Sequence, residues 1–212
     1  MKKVLPAFAL LLLLPAFVYA TETKVFSPTF GEWVGKLQNE WTWLHEVPEN
    51  WRITKEGLEI RMVPTHGPDR FVQNILFRPA PRIAEGDFAI TLEVKSLQPY
   101  CTQFQQAGIY WMRGDRYRVK FVLEIIDGQV LVWPGGMPLE TEHVVLRLRI
   151  EGNQAIAEFQ PNATGEFREA FRRALPEPRN DETDRIGLQS WHGPADKETW
   201  VRFMRFEITM TE

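Results

Sequence analysis

Apolar and polar residues alternate cleanly between Tyr117 and Ile126. Tyr117, Val119, Phe121, Leu123 and Ile125 fall on one face, and Arg118, Lys120, Val122, Glu124 and Ile126 on the other. Successive side chains of a strand point to opposite faces of its sheet, so a period of two predicts a β-strand with one buried face. Gly114-Asp115 and Asp127-Gly128 flank the segment. Both pairs are hairpin signals. Residues 103–133 therefore read as three consecutive antiparallel strands.

The same alternation recurs along the chain. Leu58, Ile60 and Met62 point inward between Glu59 and Arg61. Phe88, Ile90, Leu92 and Val94 oppose Ala89, Thr91, Glu93 and Lys95, and Val144, Leu146, Leu148 and Ile150 oppose Val145, Arg147 and Arg149. Residues 72–77 form a short apolar strand closed by prolines, and residues 154–160 pair back through a Glu151-Gly152-Asn153 turn. Residues 185–191 and 200–210 close the chain as strands. Trp41, Trp43 and Trp51 stand around a Pro48-Glu49-Asn50 turn, and such a cluster more often builds core or closes a sheet edge than grips a ligand. Residues 21–40, 64–70, 133–138 and 176–184 read as irregular or loop segments. From Gly165 to Leu175 the spacing of Phe167, Ala170, Phe171, Ala174 and Leu175 suits a short helix, and strand or helix stays open there. About a dozen strands, at most one helix and turns every 8 to 14 residues or so predict an all-β fold, a two-sheet antiparallel sandwich of jelly-roll type.

Composition narrows the class. Lys2 and Lys3 precede an apolar run from Val4 to Tyr19, and Val18 and Ala20 are small residues where a signal peptidase reads. Residues 1–20 are expected to be a signal peptide and residues 21–212 a single domain, secreted or periplasmic, with no membrane association after cleavage. The alternative for the leader is an uncleaved anchor, which its apolar length disfavours. Removing Lys2 and Lys3 leaves 23 basic against 28 acidic residues, so the formal charge goes from −3 to −5. That balance argues against a nucleic-acid partner. Cys101 is the only cysteine, so no internal disulfide forms and packing must hold the fold. Eight tryptophans and fourteen phenylalanines supply a heavy aromatic load; much of it must be core, and any remainder is where function could lie.

The order WTWLHEVPENWRIT–GLEIRM, then FQQAGIYWMRGDRYRVKFVLEIIDG, then RIGLQSWHGP with a closing VRFMRFEI, resembles the concanavalin A-like lectin/glucanase superfamily over residues 41–212. In particular it resembles the bacterial "regulation of enolase protein 1" domains of unknown function, and it is similar to the C-terminal domain of family-43 β-xylosidases. The resemblance implies a concanavalin A-like jelly roll whose concave face often binds glycans. The catalytic E-x-D-x-x-E strand of laminarinase-like members is absent: Glu85-Gly-Asp87 and Glu182-Thr-Asp184 each lack the third acid.

Strand parity proposes where such a face would lie. With Tyr117 to Ile125 inward, Arg118, Lys120 and Glu124 point out; on the preceding strand Gln106, Tyr110 and Met112 share that side, and on the 185–191 strand so do Gln189 and Trp191. Ring stacking on Tyr110 and Trp191, with hydrogen bonds from Gln106, Lys120, Glu124 and Gln189, would suit carbohydrate. The alternative is a solvated face with a Lys120–Glu124 surface pair. Trp51, preceded by a turn, is added as a ligand-facing ring, and His192 as a residue at the rim, with a plain loop histidine as its alternative. If the protein were an enzyme, Glu124 with Glu93 would be the pair of acids that glycoside hydrolysis needs. No cofactor is expected. Asp181, Glu182 and Asp184 could contribute oxygens to a structural calcium, or simply form a solvated loop. The leading expectation is a lectin-like module without catalysis; a small glycoside hydrolase or lyase, and a module that packs on a partner protein, are the alternatives.

Overall fold

The computed structural model describes residues 23–26, 41–65, 72–114 and 116–211. The leader and most of the 21–40 and 64–70 segments lie outside them. The described residues form fifteen strands and no α-helix. The first are β1 (Thr23–Phe26), β2 (Thr42–Leu44), β3 (Trp51–Thr54), β4 (Gly57–Arg61) and β5 (Ile75–Pro79). Then follow β6 (Asp87–Ser96), β7 (Gln106–Arg113), β8 (Arg116–Ile126), β9 (Gln129–Trp133) and β10 (Met137–Pro138). The chain closes with β11 (His143–Glu151), β12 (Gln154–Pro161), β13 (Arg168–Ala174), β14 (Asp184–Trp191) and β15 (Trp200–Thr211).

They build two antiparallel sheets. The eight-stranded sheet runs β13-β12-β11-β6-β15-β4-β3, with β1 also paired to β15; the seven-stranded sheet runs β10-β9-β8-β7-β14-β5-β2. The chain crosses between sheets repeatedly, and the result is the expected concanavalin A-like jelly-roll sandwich. Sequential hairpins account for β7-β8-β9 and β11-β12, where the alternation is cleanest. The segment left open between strand and helix is strand β13 at the edge of the eight-stranded sheet. Pairing with β12 decides it, and the exposed Arg168, Glu169, Arg172 and Arg173 keep that open edge from recruiting another strand.

The core lies between the sheets. Ile90, Leu92, Val94, Leu146, Leu148, Phe203 and Phe206 meet Ala107, Ile109, Trp111, Val119, Phe121, Leu123 and Leu188, all buried. Aromatic pairs stitch the layers: Phe88 stacks on Trp111 at 5.8 Å, Trp41 meets Phe206 edge-on at 5.0 Å, and Phe121 meets Phe171 at 5.9 Å. Each fully buried ring of this kind contributes roughly 1.5–3 kcal/mol. Two irregularities adjust the phase. A register shift between Phe203 and Arg205 lets both Phe203 and Phe206 face the core. A second shift, opposite Trp111 and Met112, skips Arg118 on β8.

The outer face of the eight-stranded sheet carries ion pairs across its strands. Glu59, only 2% exposed, accepts from Arg52 at 2.6 Å and from Arg202 at 2.6 Å, and Arg147 donates to Glu158 at 2.7 Å. Among the described residues no helix is long and apolar enough to cross a membrane.

Candidate functional site

The outer face of the seven-stranded sheet presents its side chains in rows that cross the strands. Tyr117 of β8, Met112 of β7 and Arg185 of β14 form the first row. Lys120, Tyr110, Gly187 and Phe77 form the second, the last from β5. Trp133 of β9, Val122, Gly108 and Gln189 form the third. Leu131, Glu124, Gln106 and Trp191 form the fourth. Of the residues that parity placed on one face, Gln106, Tyr110, Met112, Lys120, Glu124, Gln189 and Trp191 do come together here, and Arg118 does not.

They are bound to one another. Lys120 Nζ donates to Glu124 Oε2 at 2.9 Å, and Gln106 Nε2 donates to Glu124 Oε1 at 3.1 Å. The Tyr110 hydroxyl donates to Gln106 Oε1 at 3.0 Å, and Gln106 Nε2 also reaches the Phe104 carbonyl at 3.0 Å. Burial pushes the Glu124 carboxyl above its ordinary range, against the opposing pull of Lys120. Burial, followed by the Glu124 charge, pushes the Tyr110 phenol well above its usual value. Tyr110, Gln106, Glu124 and Gln189 are all under 5% exposed. They form a floor, while Lys120 and Trp191 remain partly open.

Beside this floor Tyr110, Met112, Val122 and Ile75 form a small apolar cluster outside the main core. Gly187 makes room for it: a Cβ there would stand 2.6 Å from Met112 Sδ. Trp191 is backed by His192, ring to ring at 5.0 Å.

Parity alone missed two exposed rings. Tyr117, expected in the core, is 63% exposed. The shift at Arg118 moves it to the outer face, where it meets the Tyr110 ring edge-on at 5.8 Å. The same shift sends Arg118 away to Glu177, at 3.1 Å. Trp133, read as loop, ends β9 and is 39% exposed beside Val122. Its place was legible, since Val132 faces the core and Trp133 must therefore face out. Tyr117 left no signal, because nothing in Arg116-Tyr117-Arg118 marks a bulge.

Other expected site residues stand elsewhere. Trp51 belongs to β3 of the opposite sheet, its ring tilted against Trp43 at 4.8 Å with its indole N–H on Glu46. It closes the sandwich edge. His192 is buried rather than at a rim, with Nδ1 2.6 Å from Thr65 Oγ1. Glu93 lies on β6 of the opposite sheet and pairs with His143 Nε2 at 2.8 Å. The full thickness of the sandwich separates it from Glu124. Asp184 is held by Arg113 at 3.0 Å and by the Asn180 N–H at 2.7 Å, and Asp181 accepts from the Ile83 N–H at 2.7 Å. Among the described residues no group of three or more His, Cys, Asp or Glu side chains is placed to hold a metal ion.

No protein-family model matches the chain, and no curated protein matches it in sequence. Solved structures do match in shape. The Bacteroides ovatus protein "Xyloglucan PUL GH43B" superposes with a TM-score of 0.65 at 14% identity, over 93% of this chain and 41% of its own. The xylan beta-1,4-xylosidase from Bacillus halodurans C-125 gives a TM-score of 0.61 at 16% identity, over 94% of this chain and 41% of its own. A functionally unknown protein from Saccharomyces cerevisiae gives 0.55 at 14% identity, over 82% of this chain and 97% of its own. The chain thus spans about two fifths of the first two proteins and nearly all of the third. At these identities the likeness defines the fold, a concanavalin A-like sandwich.

Proposed function

We propose that this protein is an exported, non-catalytic carbohydrate-binding module that holds a glycan on the outer face of the seven-stranded sheet. One observation carries the reading. Tyr117, Trp133 and Trp191 offer ring faces around a hydrogen-bonded floor from which Lys120 can still donate. Apolar sugar faces stack on such rings, and sugar hydroxyls accept from an ammonium. The neighbours named for xyloglucan and xylan give the reading its first ligands to try. The absence of catalysis is supported by Glu124: both its oxygens are engaged. Among the described residues, the rows of this face hold no second carboxylate at the about 5–9.5 Å that glycoside hydrolysis uses.

The test is native electrophoresis of the chain from Thr21 onward through gels containing xylan or xyloglucan, with a glycan array alongside. Reducing ends are assayed in the same samples. Retardation or array binding without sugar release is expected, weakened by Trp191→Ala and Lys120→Ala with the fold intact. Sugar release abolished by Glu124→Gln would replace the reading with an enzymatic one. Silence on every gel and array would refute it.

A further inference from the structure

We infer that the ligand is the interior of an extended glycan chain rather than a monosaccharide or a chain end. This rests on the binding face proposed above and concerns how that face is used. One feature of the face points to it: the spacing of its rings.

Adjacent strands lie about 4.8 Å apart, and alternate residues along a strand about 6.7 Å. Trp133 and Trp191 stand three strands and one row apart, or roughly 16 Å across the sheet. Tyr117 and Trp133 stand one strand and two rows apart, roughly 14 Å. No single sugar ring reaches from one aromatic to the next. A ligand that engages two must be several residues long.

The side chains between the rings are largely covered. Val122, Tyr110, Gln106, Glu124 and Gln189 are each under 5% exposed, and Leu44, Val72 and Phe77 pack against the cluster that holds Tyr110 and Val122. Met112 and Tyr110 lie over Gly187. Separated rings gather affinity from several weak contacts, whereas small-ligand sites enclose most of the ligand. The chain would lie across β9, β8, β7 and β14, with Lys120 donating to a middle residue.

Calorimetric titration with size-fractionated ladders of β-1,4-xylo-oligosaccharides and xyloglucan oligosaccharides, from monomer to the polymer, tests this. Affinity should rise with length by about tenfold for each further ring engaged, then level off. Tyr117→Ala should weaken the longest members about tenfold and leave the shortest unchanged. Tyr117 is exposed, so this variant keeps its fold. Trp133→Ala should do the same. Equal affinity for monomer and polymer, or a Tyr117→Ala effect that is the same at every length, overturns the extended-chain inference while leaving the binding face standing. Failure to bind any member of either ladder, polymers included, refutes the face itself and this inference with it.

Discussion

Replacing Lys120 by Met asks whether the floor is held by a buried charge pair. The ammonium donates to Glu124 at 2.9 Å, with the two side chains 24% and 3% exposed. Its removal leaves the carboxylate with Gln106 Nε2, at 3.1 Å, as its remaining side-chain donor. Stripping one partner from a fully buried pair costs about 3–5 kcal/mol, and a charged hydrogen bond is worth about 1.5–3. Because the lysine end is open to water, the loss should fall at about 2–3 kcal/mol. An exposed pair would cost about 0–1. The sign of the pH dependence follows from Glu124. Its folded pKa is already above the unfolded value of 4.5, and losing Lys120 removes a neighbouring positive charge that lowers it. A raised carboxyl contributes stability that is complete below the unfolded value and is lost as pH rises through the folded one. The Lys120→Met deficit should therefore be greatest at neutral pH and shrink as pH falls toward 4.5. Urea unfolding followed by tryptophan fluorescence measures it. Glu124→Gln supplies the second arm of a cycle. Its single oxygen cannot replace both carboxylate oxygens, and its amide would face the Lys120 donor. In the double variant that conflict is gone, so the two losses should fall short of additive by about 1–2 kcal/mol. A Lys120→Met loss under about 0.5 kcal/mol, flat with pH and additive with Glu124→Gln, would show that the floor is only a solvated surface pair.

Three further variants probe what holds the sandwich together. Glu59→Gln leaves Arg52 and Arg202 without their shared carboxylate. It should cost about 3 kcal/mol near neutral pH. Burial works against the Glu59 charge, but hydrogen bonds from Arg202 and Arg52 bring its pKa below 4.5. The difference from wild type should hold above pH 4.5 and fade below it in thermal unfolding across pH. Gly193→Ala would set a Cβ 1.8 Å from the Met62 carbonyl oxygen. It should lower the melting midpoint sharply, by about 3 kcal/mol or more of stability, and an unchanged midpoint would refute the close approach. Leu146→Ala empties a fully buried position between the sheets, and chemical denaturation should record a loss of about 2–5 kcal/mol.

The sandwich was legible because most of its long strands bury one face continuously. Where Phe88, Ile90, Leu92 and Val94 alternate with polar or small residues, or Val144 to Ile150 do, burial alone imposes the phase, and a slip of one residue would turn every apolar side chain outward. The edge strand β13 was not legible in this way. Ala170 and Phe171 are both half-buried, neighbours in sequence that no single period accommodates. Helix and strand therefore compete on equal terms until β12 supplies hydrogen-bond partners.

The site was legible only in part, and its errors have two different physical sources. Parity assigns a residue to a face of its strand but does not say to which sheet the strand belongs. Glu93 points outward as read, yet from the sheet on the far side, and Trp51 is likewise carried off by β3. Hairpin neighbours escape this ambiguity, because adjacent strands joined by a tight turn share a sheet. That is why Gln106, Tyr110, Lys120 and Glu124, spread over one hairpin, were assembled correctly. The second source is the bulge. A single skipped residue at Arg118 leaves the phase of Val119 to Ile125 intact and reverses it for Tyr117 alone. Bulges gather where a surface must re-aim a side chain, and here the re-aimed side chain is the most exposed large apolar ring of the described residues. Left in phase, Tyr117 would have pointed into the sandwich. Out of phase, it stands at the end of the floor with its ring turned to solvent. The residue that breaks the pattern from which the fold is read is thus the one that extends the proposed binding face, and for the same reason it was hidden from that pattern.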